Sequence, residues 1–429
     1  MELKIIENGL YYKSMSIKTP LVNNIKILYA DYIGTGRPSP IIESYLVDNI
    51  YPYYANTHSN SFCSEYMNNE IELTKKYIKT TMNVKSNQSI IFTGNGTTGA
   101  INHLVNSLDF KKYKKINIII STYEHHSNFL PWVEKAKLFN NIDIILLPLN
   151  NNGLIDYDKF TNILLQLDKN NLIITSITAC SNVTGIITDL VKIRNIINLN
   201  IGTYGLLFVD YATLAPYTKI DASICNAIFI SPHKFIGGNS TPGLLIADTN
   251  LFMNKCPYAP GGGCVKKANN EIIDYIENIE ERESSGTPNI IGIVKIRLAF
   301  LLKDKLNDII IHNEHQITKY IHNKLTLISH KYSNLKVLYL NKHLNHRLPI
   351  ICIHINNRHF NDIVKLLNNQ YGIQCRGGVS CAGIFAKYIE NTMGIQGWCR
   401  ISFHWSMSHE EVDYILNAIE SISNYYKNN

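Results

Sequence analysis

Charge is scarce in this sequence. Asp, Glu, Lys and Arg make up 17% of its 429 residues, against roughly 25% in an average soluble domain, while hydrophobic residues reach 45%. A chain so apolar and so lightly charged is not a disordered one. The basic excess is small, 41 Lys and Arg against 34 Asp and Glu for a net charge of +7. It is scattered rather than gathered into a stripe, which argues against nucleic acid as a partner. Long apolar runs are missing too: nothing approaches the roughly 18 residues of a membrane-spanning helix. The start, MELKIIENGLYYKSM, lacks the apolar core and small-residue cleavage site of a secretory signal. A cytoplasmic location without a membrane partner is the expectation. Nine cysteines (63, 180, 225, 256, 264, 352, 375, 381 and 399) form an odd, dispersed set with no CxxC, so reduced thiols are expected rather than disulfide staples. Histidines gather loosely at His312 and His315, then at His343, His346, His354 and His359, among Asn and Lys and without matching carboxylates or thiols; no metal site is expected there.

What is abundant is the alternation of Ile-, Val- and Leu-rich runs with segments of helical period, the pattern of βαβ units around a mostly parallel sheet. Strands are predicted at Ser89–Phe92, Ile116–Ser121, Ile142–Leu147, Leu172–Ile177, Leu206–Asp210, Ala227–Ser231 and Gly243–Ile246, with helices at Thr98–Leu108, Asp156–Leu167 and Thr188–Leu199. A long helical stretch from Pro288 to His330 bridges to a second unit. There, strands near Lys336–Leu340, Pro349–His354 and Arg400–Phe403 and a helix near Asn361–Asn369 precede a terminal helix that Ser408 and Glu411 open as a capping box. The fold class is therefore α/β: a large domain over residues 25–305 and a small α+β domain over 306–429, with residues 1–24 packing against the latter.

The segment richest in chemistry is Ser231-Pro-His233-Lys234, at the end of an apolar strand and followed by Gly237-Gly238. Ligands of α/β sheets bind beyond such strand ends, and a desolvated lysine there is a nucleophile. A second buried strand, Leu207-Phe-Val-Asp210, ends in a carboxylate. A pyridoxal phosphate site needs this pair: a lysine for the Schiff base and a carboxylate that keeps the pyridine nitrogen protonated. Between a strand and a helix, Phe92-Thr-Gly-Asn-Gly96-Thr97-Thr98-Gly99 supplies backbone N–H groups and hydroxyls for a phosphate. It has neither the GK[ST] of a Walker loop nor the GxGxxG of a dinucleotide fingerprint.

Taken in order, these residues resemble the pyridoxal-phosphate enzymes of the class V aminotransferase fold, and among them the cysteine desulfurases, on the side of the Suf-type (group II) branch and its selenocysteine lyase relatives. The resemblance runs from about Tyr29 to Ser423. Its motifs are Gly96-Thr97-Thr98, Glu124-His125-His126-Ser-Asn128 with Pro131-Trp132, Ser181-Asn182-Val183-Thr-Gly185, Val209-Asp210, Ser231-Pro-His233-Lys234, Gly261-Gly-Gly263, Gly286-Thr287-Pro288-Asn289, Arg376-Gly-Gly-Val-Ser-Cys381-Ala382, and Cys399-Arg400 ahead of His409-Glu-Glu-Val-Asp413. It implies a fold-type I enzyme in which Lys234 holds pyridoxal 5'-phosphate, Asp210 faces its pyridine nitrogen and His125 stacks on its ring. It also implies that Thr97, Thr98, Ser231 and His233 cradle the phosphate, that Asn182 bonds near the phenolic oxygen and the substrate, and that Arg400 clamps the substrate carboxylate. Thr287 would reach the phosphate of a neighbouring subunit, which implies a homodimer. Cys381 would attack the sulfur of L-cysteine and carry it as a persulfide toward a sulfur-acceptor protein, leaving L-alanine. A helix N-terminus and a nearby arginine favour the thiolate for such a role.

The sequence also departs from the family. Asp210-Tyr-Ala-Thr213 places a hydroxyl where a glutamine usually bonds the cofactor oxygen, and Val379 and Ser380 stand where two histidines often precede the Suf-type cysteine. Asp31-Tyr-Ile-Gly34-Thr-Gly36-Arg-Pro and Asn56-Thr-His58-Ser-Asn60 would line the substrate entrance. Two alternatives stand beside the desulfurase. One is an enzyme of the same fold without a nucleophilic cysteine: a selenocysteine lyase, another β-eliminating lyase, an epimerase or an aminotransferase. The other is a non-catalytic scaffold.

Overall fold

The computed structural model describes residues 10–11 and 15–428. Seven strands make the large sheet: β1 (Gln88–Thr93), β2 (Ile116–Ser121), β3 (Ile142–Leu147), β4 (Leu172–Thr178), β5 (Leu206–Asp210), β6 (Ala227–Ile230) and β7 (Gly243–Asp248), in the order β1-β7-β6-β5-β4-β2-β3. Alternate residues of each strand go to opposite faces. Ile118, Ile120, Ile174 and Phe208 pack with Ile101 and Leu104 of helix α1 (Gly96–Ser107) on one side. Ile119, Ile173, Leu207 and Val209 pack on the other with Phe160 and Ile193, which lie in helices α2 (Tyr157–Gln166) and α3 (Leu190–Asn200). Burial on both faces explains why these strands read as continuous apolar runs.

Six strands run parallel. β7 runs antiparallel to both β1 and β6, joined to β6 by the 231–242 connection, whose helical turn is confined to Pro232–Lys234. That connection carries Lys234. The Pro288–His330 stretch is two helices rather than one, α4 (Ile290–Lys305) and α5 (Asn307–Lys331), broken at Leu306.

Beyond them a second, antiparallel sheet has the order β8-β9-β11-β10, formed by β8 (Leu335–Val337), β9 (Ile350–Ile355), β10 (Arg376–Gly378) and β11 (Trp398–Ser402). Helices α6 (Phe360–Tyr371), α7 (Gly383–Met393) and α8 (His409–Asn428) accompany it. The capping box forms as read: Ser408 N–H donates to Glu411 Oε2 at 3.1 Å and Glu411 N–H to Ser408 Oγ at 3.2 Å. Of the N-terminal segment expected against this unit, residues 1–9 and 12–14 lie outside the described residues; Thr19 donates its hydroxyl to the carbonyl of Asn369 in α6 at 2.5 Å. Among the described residues no helix is long and apolar enough to cross a membrane.

Candidate active site

The carboxyl ends of β1, β2, β4, β5 and β6 open together onto one cleft of about 190 Å3, closed from the other side by the small sheet. Its walls include Thr97, Thr98, His125, Asn182, Asp210, Ser231, His233, Lys234, Cys381 and Arg400. The catalytic and binding residues read from the sequence are thus brought together except Thr287. That residue sits in a separate surface depression, where its hydroxyl accepts from Asn56 Nδ2 at 3.3 Å. The Asn56–Asn60 stretch expected at the substrate entrance lies there too, with Thr57 and His58 lining the same depression.

Lys234 lies in the tight turn that follows β6, half-buried where it lines the cleft. Burial lowers its pKa to about 8, although Asp210 pulls the other way. Asp210, 2% exposed, accepts the N–H of Ala212 on Oδ1 at 2.8 Å; burial lifts its pKa to about 6 against that bond and the nearby Lys234. His125 is held neutral, with a pKa pushed down to about 3 by burial and then by Lys234. The N–H of Ser127 donates to its Nδ1 at 3.1 Å, which leaves Nε2 to carry the proton. His233 is likewise lowered to about 4, by burial first and Lys234 second.

A cluster of hydroxyls and backbone N–H groups stands at the N-terminus of α1. Thr97 N–H donates to Ser231 Oγ at 2.9 Å, and the hydroxyls of Thr98 and Ser127 meet at 2.6 Å. Gly96 makes this possible: its φ is +52°, and a Cβ there would come within 2.8 Å of Ser231 Oγ and 3.4 Å of the His233 ring. The space is one that only a glycine leaves open at the mouth of a helix whose N–H groups attract an anion. A half-buried lysine, a buried carboxyl and this helix N-terminus, all on one cleft, fit pyridoxal phosphate at its reactive carbon, its ring nitrogen and its phosphate.

Opposite lies a clamp that sequence reasoning saw only in part. Arg400 in β11 and Arg376 in β10 are direct partners across the ladder, a like-charge pair that repels unless countered. Asp31 counters it. Its Oδ1 accepts from Arg400 Nη2 at 2.7 Å, and its Oδ2 from Arg376 Nη2 at 2.9 Å and Nε at 3.1 Å. Arg400 also donates Nη1 to the carbonyl of Asn182 at 3.1 Å, is 3% exposed, and keeps its Nε buried without a protein partner. Arg400 lines the cleft, where a guanidinium suits an incoming carboxylate. Gly34 leaves room for the arrangement, since a Cβ there would lie 2.5 Å from Asp31 Oδ2 and 2.8 Å from Arg376 Nη2.

Cys381 sits just before α7 and is exposed. Ser380 and Cys381 both take φ of +54°, a left-handed conformation that non-glycine residues adopt only when their surroundings hold them there. Four bonds do so. Asn182 Nδ2 donates to the Ser380 carbonyl at 2.8 Å, Trp398 Nε1 to Ser380 Oγ at 3.0 Å, His126 N–H to the Cys381 carbonyl at 2.8 Å, and Gly383 N–H to His126 Nε2 at 3.0 Å. His126 thus ties the cysteine loop to the loop that carries His125.

The family model for class-V aminotransferases matches residues 29–415. The chain belongs to that family. It is 30% identical over 421 residues to a probable cysteine desulfurase of Borreliella burgdorferi, covering 96% of this chain and 95% of the relative. It is 27% identical over 412 residues to a cysteine desulfurase of Wigglesworthia glossinidia brevipalpis, covering 95% of each. The apo structure of a cysteine desulfurase from Thermococcus onnurineus NA1 superposes with a TM-score of 0.81 at 21% identity, over 93% of this chain and 95% of that one. This class-V aminotransferase is a fold-type I pyridoxal-phosphate enzyme resembling the cysteine desulfurases along its length.

Proposed function

We propose that this chain converts L-cysteine to L-alanine and retains the sulfur as a persulfide on Cys381. The observation that carries the reading is the presence of an exposed cysteine, Cys381, on the same cleft as Lys234 and Arg400. Pyridoxal phosphate, when bound, supplies an electron sink for the pair left by the α-proton. Asp210 would face that sink's ring nitrogen as a carboxylate and keep it protonated, and His125 would offer it an uncharged aromatic surface. Thr97, Thr98, Ser231 and His233 would hold the phosphate. Arg400 fixes the substrate carboxylate, and Lys234 Nζ, with its lowered pKa, takes the α-proton. Cys381 Sγ then attacks the substrate sulfur: an S–S bond forms, the Cβ–S bond breaks, and Cβ is protonated. The balance is L-cysteine plus enzyme thiol giving L-alanine plus enzyme persulfide. A second thiol, on an acceptor protein, must collect the outer sulfur.

The proposal extends to a homodimer in which Thr287 completes the phosphate site of the other subunit. In support, Thr287 lies away from its own chain's cleft, in a surface depression lined also by Thr57 and His58, with its hydroxyl bonded to Asn56. A division between large and small domains at Leu306 is supported by the helix break there. A reducing, cytosol-like compartment is supported by nine free cysteines. The test is a peptide map of the holoenzyme after reaction with L-cysteine without reductant. One extra sulfur on the peptide bearing Cys381 is expected, and unmodified Cys381 beside released alanine would refute the persulfide.

A further inference from the structure

A second pair of thiols lies behind the clamp. Cys375 immediately precedes β10 and Cys399 lies in β11, and their sulfurs are 3.5 Å apart. The register explains the approach. Arg376 faces Arg400 and Gly377 faces Cys399, so Cys375 and Cys399 are diagonal neighbours on one face of the sheet, while the two arginines share the other. Gly377, opposite Cys399, has no side chain to keep Cys375 away. Cys399 is fully buried and Cys375 partly exposed, so one thiol is reachable from solvent and the other is held within reach of it.

We propose that Cys375 and Cys399 form a reversible disulfide that disables the carboxylate clamp. The oxidant is a peroxide. The Cys375 thiolate attacks its O–O bond, becomes a sulfenic acid and releases water; Cys399 then attacks the sulfenic sulfur, the S–S bond forms, and a second water leaves. The two thiols lose two electrons and the peroxide gains them. A dithiol restores the pair by exchange. Closing the remaining ~1.5 Å to bonding distance draws β10 diagonally along β11. Each cysteine is directly followed in sequence by an arginine of the clamp, so the shift separates Arg376 and Arg400 from their common partner Asp31 and pulls on the Cys381 loop three residues beyond β10.

Bond formation does not depend on the desulfurase reading; the effect on ligand binding rests on Arg400 holding a carboxylate. The experiment treats the holoenzyme and its Cys375→Ser variant with one equivalent of hydrogen peroxide, alkylates remaining thiols and maps the peptides. In parallel, L-alanine, which has the carboxylate but no thiol to reduce the bond, is titrated against the cofactor's visible absorbance. The expected result is a Cys375–Cys399 linked peptide in the wild type only, with affinity for L-alanine about tenfold weaker, as for loss of one charged hydrogen bond, and recovered with dithiothreitol. Alkylation of both cysteines after peroxide treatment that oxidises Cys381 overturns the site. A linked peptide with unchanged affinity for L-alanine overturns the coupling to the clamp. If the variant does not fold, the wild-type map decides alone.

Discussion

Replacing Asp31 with Asn removes the one anion between two cations that face each other across the ladder. The carboxylate bonds Arg400 at 2.7 Å and Arg376 at 2.9 Å. A hydrogen bond between charged groups contributes about 1.5–3 kcal/mol, and unpairing a buried charge is destabilising by about 3–5 kcal/mol. Here Asp31 is 14% exposed, and Arg400 retains the Asn182 carbonyl, which places the effect toward the lower range, about 2–3 kcal/mol. If Asp31 aims Arg400 at the substrate, that loss appears as a fall of roughly 30- to 150-fold in kcat/KM, carried mainly by KM. The assay is alanine formation from L-cysteine at varied substrate, with Asp31→Glu as the charge-preserving control that should recover part of the loss. An Asp31→Asn enzyme with unchanged or lower KM would refute the reasoning, because it would show Asp31 competing with the substrate for Arg400 rather than positioning it.

Gly34→Ala should act on the same clamp from another side, since the added Cβ displaces Asp31; KM should rise while the cofactor spectrum stays unchanged, and a wild-type KM would contradict the crowding. His126→Ala removes the acceptor of the Gly383 N–H, a loss of about 1 kcal/mol; persulfide formation on Cys381 should slow while cofactor affinity holds, as stopped-flow and titration would separate. In the apo-protein the rate of reaction of Lys234 with added pyridoxal phosphate should rise with pH as the neutral amine accumulates and level off above about 8. A rate still climbing at the pH where an ordinary lysine titrates, about 10.4, would show that Lys234 is solvated.

Much of the large sheet is legible because its central strands are buried on both faces, while the edge strand Ile142–Leu147 is apolar though partly exposed. Ile116–Ser121, Ile142–Leu147 and Leu206–Asp210 have the bounds that their apolar runs predict. The 20-residue helix Phe62–Thr81 is not legible in the same way. Its inward face is Ser64, Met67, Glu70, Thr74 and Ile78, and the one carboxylate on that face is paired from far along the chain, Glu70 by Arg297 of α4. The site follows the same division. Lys234, Asp210 and the Gly96–Thr98 loop stand at strand ends where local sequence announces them. Asp31, Arg376 and His126 acquire their roles through bonds spanning hundreds of residues, such as Asp31 to Arg400 and His126 to Gly383, for which no local pattern exists. The sequence reading placed Asp31 at the substrate entrance without the two arginines that it joins.

The central claim is that Cys381 takes sulfur from L-cysteine within a cleft built around Lys234. The most direct measurement is alanine released from L-cysteine by purified protein loaded with pyridoxal phosphate in excess thiol, wild type beside Cys381→Ala. The account predicts alanine from the wild type and none above background from the variant, whose cofactor spectrum remains that of the wild type. Alanine formed by Cys381→Ala at the wild-type rate would contradict it.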